Sequence, residues 1–108
     1  MSRAVASADV FRAIADANRR ALLDLIAGGE VAVGELAEGV GLSYSAASQH
    51  LAVLFEAGLV ARREQGRQRL YRLTPGPLRD VHAWAARYQQ FWRGRLAELH
   101  RVLNEGSK

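Results

Sequence analysis

The segment 42–58 carries hydrophobic residues with the period of an α-helix. Ala47, Leu51 and Leu54 are spaced i, i+4 and i+7, so they form one apolar stripe that can pack against a core. The opposite side carries short uncharged residues, namely Ser45, Ser48, Gln49 and Ala52. Such a face can offer hydrogen-bonding groups to base edges in a DNA groove. An ordinary amphipathic helix with a serine-rich outside is the other interpretation.

A shorter helix is predicted immediately before this segment. Its apolar residues follow the helical spacing i, i+3, i+4 and i+7, at Val33, Leu36, Ala37 and Val40. Gly41 ends that helix, and Ser43 is a good N-cap for the next one. Ala32 stands where a Ser or Thr cap would be expected, which leaves the first residue of the short helix open. Two helices joined by a turn that contains glycine follow the helix-turn-helix plan.

Two further helices are predicted before this pair. In the first, Asp9 is the N-cap, and residues 1–8 form a frayed lead-in. Its inward positions are Val10, Phe11 and Ile14. In the second, residues 16–18 supply a break and a new cap, and Gly28 with Gly29 supplies the stop. Its inward positions are Leu22, Leu25 and Ile26.

After Gly58 the pattern changes from helical to short strands. Residues 59–64 and 68–73 are two strand candidates, and Gly66 permits the positive φ that a tight connection needs. A hairpin that directly follows a helix-turn-helix is the wing of a winged helix. The predicted fold class is therefore mainly α with a small β-hairpin wing (α+β), in a single domain that covers residues 1–108.

A long helix is predicted at the C-terminus, within residues 75–103. The helix carries four large aromatic residues. Their apolar surface is larger than the helix would need if only one of its faces packed against a small domain. We therefore predict that this helix, with the N-terminal one, holds two copies of the chain in a homodimer. The predicted dimer contacts are Val10, Phe11, Leu78, Val81, Trp84, Tyr88, Phe91, Trp92, Leu96 and Leu99. A terminal helix packed only across its own domain is the alternative.

Composition and charge narrow the choice of partner. The chain lacks cysteine, a transmembrane run and a signal peptide, which together predict a cytoplasmic protein with no membrane partner. The net charge is +4, and five arginines with one acid, Glu64, lie between Ala61 and Leu73. A polyanion partner explains this local cluster. A solvated strand edge guarded against aggregation is the alternative.

Taken together, residues 10–103 resemble the ArsR/SmtB family of bacterial winged-helix transcriptional regulators. Three segments carry the resemblance in order: FRAIADANRRALLDLI, VGELAEGVGLSYSAASQHLAVLFEAGLVARR and GRQRLYRLTP. Residues 45–60 are the most specific part. The resemblance implies a homodimeric repressor that binds double-stranded operator DNA. It implies that residues 43–50 enter the major groove, that residues 62–69 form the wing, and that the terminal helix forms the dimer interface.

The predicted DNA-binding residues are Ser43, Tyr44, Ser45, Ser48, Gln49, His50, Arg62, Arg63, Arg67, Gln68 and Arg69. Gln49 is the best candidate for base reading, because its amide can form two hydrogen bonds with adenine. For Ser43, a role as the helix cap alone is the alternative. For His50, packing or a phosphate contact is favoured over base recognition.

The arginines of the wing divide into two pairs. Arg67 and Arg69 are predicted to meet phosphate or the minor groove. Arg62 and Arg63 can equally form ion pairs with Glu64 or Glu56.

The chain departs from metal-sensing members of the family at both of the sites that the resemblance implies. Residues 31–35 replace the family's Cys-Val-Cys motif with VAVGE, which has no sulfur ligand. Asp80 and His82 match the first half of the second site, but Arg93 and Leu96 occupy its later positions. Two ligands do not complete a tetrahedral zinc site. No metal and no cofactor is therefore predicted, the effector is left open, and a metal-responsive repressor that uses Asp80 and His82 is kept as an alternative.

Enzyme signatures are also missing from the sequence. Ser48 and His50 are two positions apart on a helix and point in different directions, so they do not form a catalytic dyad. The chain has no glycine-rich phosphate loop and no HExxH motif. We predict a non-enzyme with no catalytic residues. A winged helix that binds protein and not DNA is the competing function.

Overall fold

The computed structural model describes the backbone of residues 3–106 and the side chains of residues 9–105. Its elements are α1 (Arg3–Ile14), α2 (Ala17–Ile26), β1 (Val31–Ala32), α3 (Val33–Val40), α4 (Tyr44–Glu56), β2 (Val60–Gln65), β3 (Gln68–Leu73), α5 (Leu78–Ala86) and α6 (Gln89–Gly106). The three strands form one antiparallel sheet in the order β1-β3-β2. Helices α3 and α4 form the helix-turn-helix, and β2 and β3 form the wing. No helix in the described part of the chain is long and apolar enough to cross a bilayer.

Helix α4 is anchored to the centre of the core by its apolar stripe. Ala47, Leu51 and Leu54 have no exposed surface. Ser43 caps the helix, because its Oγ accepts a hydrogen bond from the Ala46 N–H at 3.1 Å. The predicted period and the predicted cap of α4 are both confirmed.

The turn between α3 and α4 depends on Gly41. This residue has φ of +77°, a left-handed conformation in which a β-carbon is unfavourable. The following N–H, that of Leu42, donates to the Ala37 carbonyl at 2.9 Å and closes the end of α3. The glycine therefore fixes the angle at which the chain leaves α3 and enters α4.

Strand β1 was not predicted, and it explains how α3 begins. Ala32 precedes the first residue of α3, and its side chain makes no capping hydrogen bond. Its backbone instead pairs with Leu70 of β3, while Val31 pairs with Tyr71. A strand of two residues leaves no periodic signal, so the sequence shows only a missing cap.

The wing is a regular hairpin with a two-residue connection. Gln65 and Gln68 are the last paired residues, and Gly66 with Arg67 connects them. Gly66 has φ of +63°, whereas no described residue other than glycine has a positive φ. A positive φ at the first central position only is the pattern of a type II′ turn, which matches the twist of paired strands.

Two predictions about the N-terminal helices are wrong. Helix α1 begins at Arg3, so Asp9 lies inside it and is not its cap. The predicted lead-in therefore belongs largely to α1, while residues 1 and 2 lie outside the described residues. In α2 the buried residues are Leu22, Leu23 and Ile26, whereas Leu25 is 42% exposed. Leu25 instead lies over Gly39 of α3, where an added β-carbon would stand 2.8 Å from the leucine Cδ1.

The single C-terminal helix of the prediction is divided into α5 and α6. At the junction, the N–H groups of Arg87 and Tyr88 donate to carbonyls three residues back, on Trp84 and Ala85. This tighter bonding interrupts the α-helical ladder. Residues 84–92 contain neither proline nor glycine, so the sequence gives no signal for a break.

Helix α6 projects from the body of the protein. The radius of gyration is 17.9 Å, whereas a compact chain of this length has about 13 Å. Every described side chain of α6, from residue 89 to residue 105, is exposed. The core is therefore built by α1–α4 and the sheet, with α5 packed at its edge.

Candidate nucleic-acid interface

The outer face of α4 is polar, uncharged and accessible. Tyr44 is 59% exposed, and Ser45 and Gln49 are also exposed. Ser48 is half-buried. The residues predicted to read bases thus stand on the side of α4 opposite its buried stripe, where they keep their hydrogen-bonding groups available.

The tip of the wing lies beside the start of α4. Tyr44 lines the same open cleft, of about 430 Å³, as three residues of the wing tip, Arg67, Gln68 and Arg69. The other wall of this cleft is formed by Ala32 of β1 and by four residues of α3, namely Val33, Gly34, Glu35 and Glu38. The first residue of α4 and the tip of the cationic hairpin therefore open on the same cleft, as simultaneous contact with one duplex requires.

Three of the wing arginines are already engaged within the chain. Arg63 donates to both carboxylate oxygens of Glu30, at 2.7 and 2.8 Å. Arg69 donates twice to one carboxylate oxygen of Glu64, at 2.9 and 3.1 Å. The Arg62 guanidinium lies 4.0 Å from the centre of the Phe55 ring.

The observed partners differ from the predicted ones. Glu30, which precedes β1, was not among the carboxylates considered for Arg63. The hydrogen bonds from Arg63 lower the pKa of Glu30 below its ordinary value, and the charge of Arg72 adds to this effect. The same pair raises the pKa of Arg63.

Arg67 differs from these three arginines. Its side chain forms no hydrogen bond or ion pair within the described part of the chain, and it is exposed at the hairpin turn. A guanidinium that has not been neutralised by a neighbouring carboxylate is the most available to an external phosphate. Among the predicted wing cations, Arg67 is thus the best placed for DNA.

His50 is half-buried and turned toward α2. Its Nδ1 lies 3.3 Å from Nη1 of Arg19. Arg19 and Arg20 of α2, for which the sequence predicted no role, both cap the end of α1. Arg20 donates to the Ile14 carbonyl at 2.8 Å. No local pattern could reveal the contact between His50 and Arg19, because the two residues are 31 positions apart.

Asp16 binds the backbone of Arg19 at the start of α2. Its carboxylate accepts the N–H groups of Asn18 at 2.8 Å and Arg19 at 3.2 Å, so it is the predicted cap of α2. Burial alone would raise the pKa of Asp16, but the hydrogen bonds from these two backbone groups help to lower it. The cap is therefore formed by a charged carboxylate at the positive end of the α2 dipole.

An aromatic surface runs along α5 and α6. Phe11 of α1 meets Trp84 edge-on at 5.7 Å between ring centres, Trp84 meets Tyr88 at 5.6 Å, and Tyr88 lies 6.3 Å from Phe91. Large hydrophobic residues that are at least 44% exposed continue along it: Trp84, Tyr88, Phe91, Trp92, Leu96, Leu99, Val102 and Leu103. An apolar surface of this extent is unusual on a monomer.

The structure corrects one residue of the predicted dimer surface. Val10 is only 2% exposed and belongs to the core of its own chain, so it cannot contact a second copy. Leu78 and Val81 are partly buried and pack against the same core. The accessible part of the predicted surface therefore begins at Trp84.

Asp80 and His82 lie on the same helix, α5, in the first two turns. Within the described residues, no group of three or more His, Asp or Glu side chains comes together in a way that could hold a metal ion.

The helix-turn-helix of α3 and α4, followed by the hairpin of β2 and β3, defines a winged helix-turn-helix protein. Residues 16–62 match the sequence profile of the family described as bacterial regulatory protein, arsR family. The chain is 36% identical over 76 residues to the transcriptional repressor SdpR of Bacillus subtilis (strain 168), a match that covers 70% of this chain and 84% of SdpR. The chain belongs to the arsR family of bacterial regulatory proteins, so the resemblance and the fold class predicted from the sequence are confirmed.

Two further relatives extend the comparison. The HTH-type transcriptional regulator Rv2034 of Mycobacterium tuberculosis (strain ATCC 25618 / H37Rv) is 48% identical over 65 residues, which cover 60% of this chain and 61% of that regulator. The match thus spans less than two thirds of Rv2034. The homodimeric winged helix-turn-helix DNA-binding domain Mb0332 (fragment 1–100) of Mycobacterium bovis, solved by solution NMR, has a TM-score of 0.65 at 33% identity. That similarity covers 88% of this chain and 85% of the domain.

Proposed function

We propose that this protein is a homodimeric transcriptional repressor that binds a palindromic operator in double-stranded DNA. Helix α4 enters the major groove, and the wing contacts the backbone or minor groove beside it. The observation that supports the proposal is the common cleft of Tyr44 and Arg67–Arg69, because the first residue of α4 and the tip of the cationic hairpin open on the same side there. The arsR-family relatives, among them a transcriptional repressor, support the same function.

Within this proposal the residues have distinct roles. Gln49 reads a base, and Ser45 and Ser48 donate to bases or to phosphates. Arg67 supplies the main charge contact of the wing, because Arg63 and Arg69 are held by carboxylates of their own chain. As a DNA-binding regulator, the protein acts in the cytoplasm.

Dimerisation through α5 and α6 completes the site. The exposed aromatic and aliphatic residues from Trp84 to Leu103 would bury against the same residues of a second copy. Mb0332, which has a similar structure, is described as homodimeric, and this supports the proposal. Two copies of α4 then read two half-sites whose centres are about 10 bp apart, or a multiple of that distance.

A salt titration of DNA binding tests the proposal. The wild-type protein should bind genomic duplex fragments with an affinity that falls linearly on a log–log plot, by about 0.9 in slope for each phosphate contacted. Arg67→Ala should reduce the slope by about one and weaken all duplexes alike. The matched control is Arg101→Ala, which removes an exposed arginine from α6 and should leave the slope unchanged. Absence of binding by the wild-type protein would instead support a module that binds protein only.

A further inference from the structure

Arg19 connects three helices through one guanidinium group. Its Nε donates to the Ala13 carbonyl at 2.6 Å and its Nη2 to the Arg12 carbonyl at 3.1 Å, so it caps the C-terminal end of α1. Its Nη1 lies 3.3 Å from Nδ1 of His50 in α4. The Arg19 backbone N–H is held in turn by Asp16. From its place in α2, this side chain bridges α1 to the proposed recognition helix.

The chemistry of the two side chains determines which group accepts. Arginine has five N–H donors and no acceptor, so Nδ1 of His50 accepts and the ring proton lies on Nε2. Both side chains are half-buried, and such a contact is screened less than one on the open surface. The contact can be removed from the His50 side without disturbing the bonds that Arg19 makes to α1.

The bridge lies between the two surfaces that the proposed function needs. On one side, α1 carries Phe11, which packs edge-on against Trp84 at the start of the aromatic surface of α5 and α6. On the other side, His50 directly follows Gln49 in α4. A continuous series of contacts therefore runs from the proposed dimer interface, through Arg19, to the helix that meets DNA.

We infer that Arg19 and His50 are positioning residues that hold α4 at a fixed angle to the dimer helices and thereby set the half-site spacing that the dimer accepts. The inference rests on the proposed function. In a symmetric dimer, the distance between the two recognition helices follows from the orientation of α4 in each chain. Loss of the contact leaves both the reading face and the dimer surface intact, but it lets the dimer accept spacings that it normally rejects.

The experiment compares affinities for duplexes that differ only in spacing. The probes are the inverted repeat that the wild-type protein selects from a random-sequence duplex library, and the same duplex with one base pair inserted or deleted between the half-sites. The quantity measured is the ratio of Kd on the altered duplex to Kd on the selected one. His50→Ala should lower this ratio by about three- to tenfold, the size expected from loss of one hydrogen bond.

Three further variants separate positioning from other roles. Arg19→Ala, alone or combined with His50→Ala, should lower the ratio to the same extent as His50→Ala, because each change removes the same contact. His50→Gln should keep the wild-type ratio, because its amide oxygen can accept from Arg19. Arg20→Ala is the matched control. It removes a neighbouring cap on α1, the bond to the Ile14 carbonyl, and should keep the wild-type ratio.

The results distinguish a failure of this inference from a failure of the proposed function. A wild-type ratio in both His50→Ala and Arg19→Ala, or effects that simply multiply in the double variant, would overturn the inference alone. An equal loss on every duplex would identify His50 as a phosphate contact and would also overturn it. If the wild-type protein selects no sequence at all, the proposed function fails and the inference fails with it. Thermal melting and sedimentation show whether each variant is a folded dimer.

Discussion

Helices α4 and α6 carry the same hydrophobic spacing and use it in opposite ways. In α4, the residues at i, i+4 and i+7 are Ala47, Leu51 and Leu54, and none has any exposed surface. In α6, the corresponding positions include Leu96 and Leu99, which are 63% and 54% exposed. The face that stays uncovered within the described part of the chain is polar in α4 and apolar in α6.

The difference shows what a periodic pattern can and cannot determine. A stripe of apolar residues determines that a helix forms and that one side seeks burial. It does not determine whether the covering surface belongs to the same chain. For α4 the surface is supplied by α1, α2 and α3, whereas α6 extends beyond the body and has no comparable neighbour among the described elements. The proposed second copy would supply it.

The largest expected effect comes from equal truncations in the two stripes. Leu51→Ala should lower the free energy of unfolding by about 2–5 kcal/mol at every protein concentration, because it leaves a cavity in the core. Leu99→Ala should leave the unfolding of the dilute monomer nearly unchanged and should weaken dimerisation instead. Urea denaturation at two protein concentrations separates the two effects. Equal destabilisation of the dilute monomer by both variants would mean that α6 packs within its own chain.

A charge placed on α6 tests the second copy directly. Trp92 is 49% exposed on the apolar side of α6, so Trp92→Asp should not disturb the core. We expect it to weaken dimerisation by about 2–4 kcal/mol, because an aromatic residue is lost from the interface and a carboxylate would be buried there. Sedimentation velocity should then show monomers, and tight binding to the palindrome should be lost. Dimers of the same affinity as wild type would place the interface elsewhere.

The elements around α4 were predictable because their signals are local. The stripe from Ala47 to Leu54, the Ser43 cap and the glycines of the turns each act within a few residues of sequence. The break at Arg87 and Tyr88 follows from no such signal. The two-residue strand β1 was also missed, because its partner is nearly forty residues away.

The candidate interface also combines features that have a local sequence signal with features that have none. The exposure of Ser45 and Gln49 follows from the helical period, so this exposed polar face could be deduced from the sequence alone. The pairing of the wing arginines could not. Arg63 contacts Glu30 across 33 residues, and only the folded sheet brings the two together. The predicted dimer surface was wrong at Val10, which lies in the core as its predicted inward position requires, and the aromatic dimer contacts stay a prediction.

Truncation of one glutamine on each helix tests the comparison of α4 with α6 through a smaller expected effect. Gln49 on α4 and Gln90 on α6 are both exposed helix residues, so their truncation should cost little stability. Gln49→Ala should weaken binding to the selected operator by about 1–3 kcal/mol, with nearly unchanged affinity for random DNA, because a two-pronged base contact is lost. Gln90→Ala should change neither affinity. An equal loss on operator and random DNA for Gln49→Ala would argue against base reading at this position.

The smallest expected effect concerns Glu30, the carboxylate that pairs with Arg63 of the wing. Arg63 lowers the pKa of Glu30 in the folded chain, so the pair stabilises the fold above the ordinary glutamate pKa, and this contribution is lost as the pH falls through the lowered value. The melting temperature of wild type should exceed that of Glu30→Gln by a small margin at neutral pH, and the margin should disappear in acid. Arg63→Ala should show the same pH dependence, because it removes the other half of the pair. A margin that does not change with pH would mean that Glu30 stabilises the wing by packing. The charge of Glu30 would then not hold Arg63. Arg63 would be as available to DNA as Arg67.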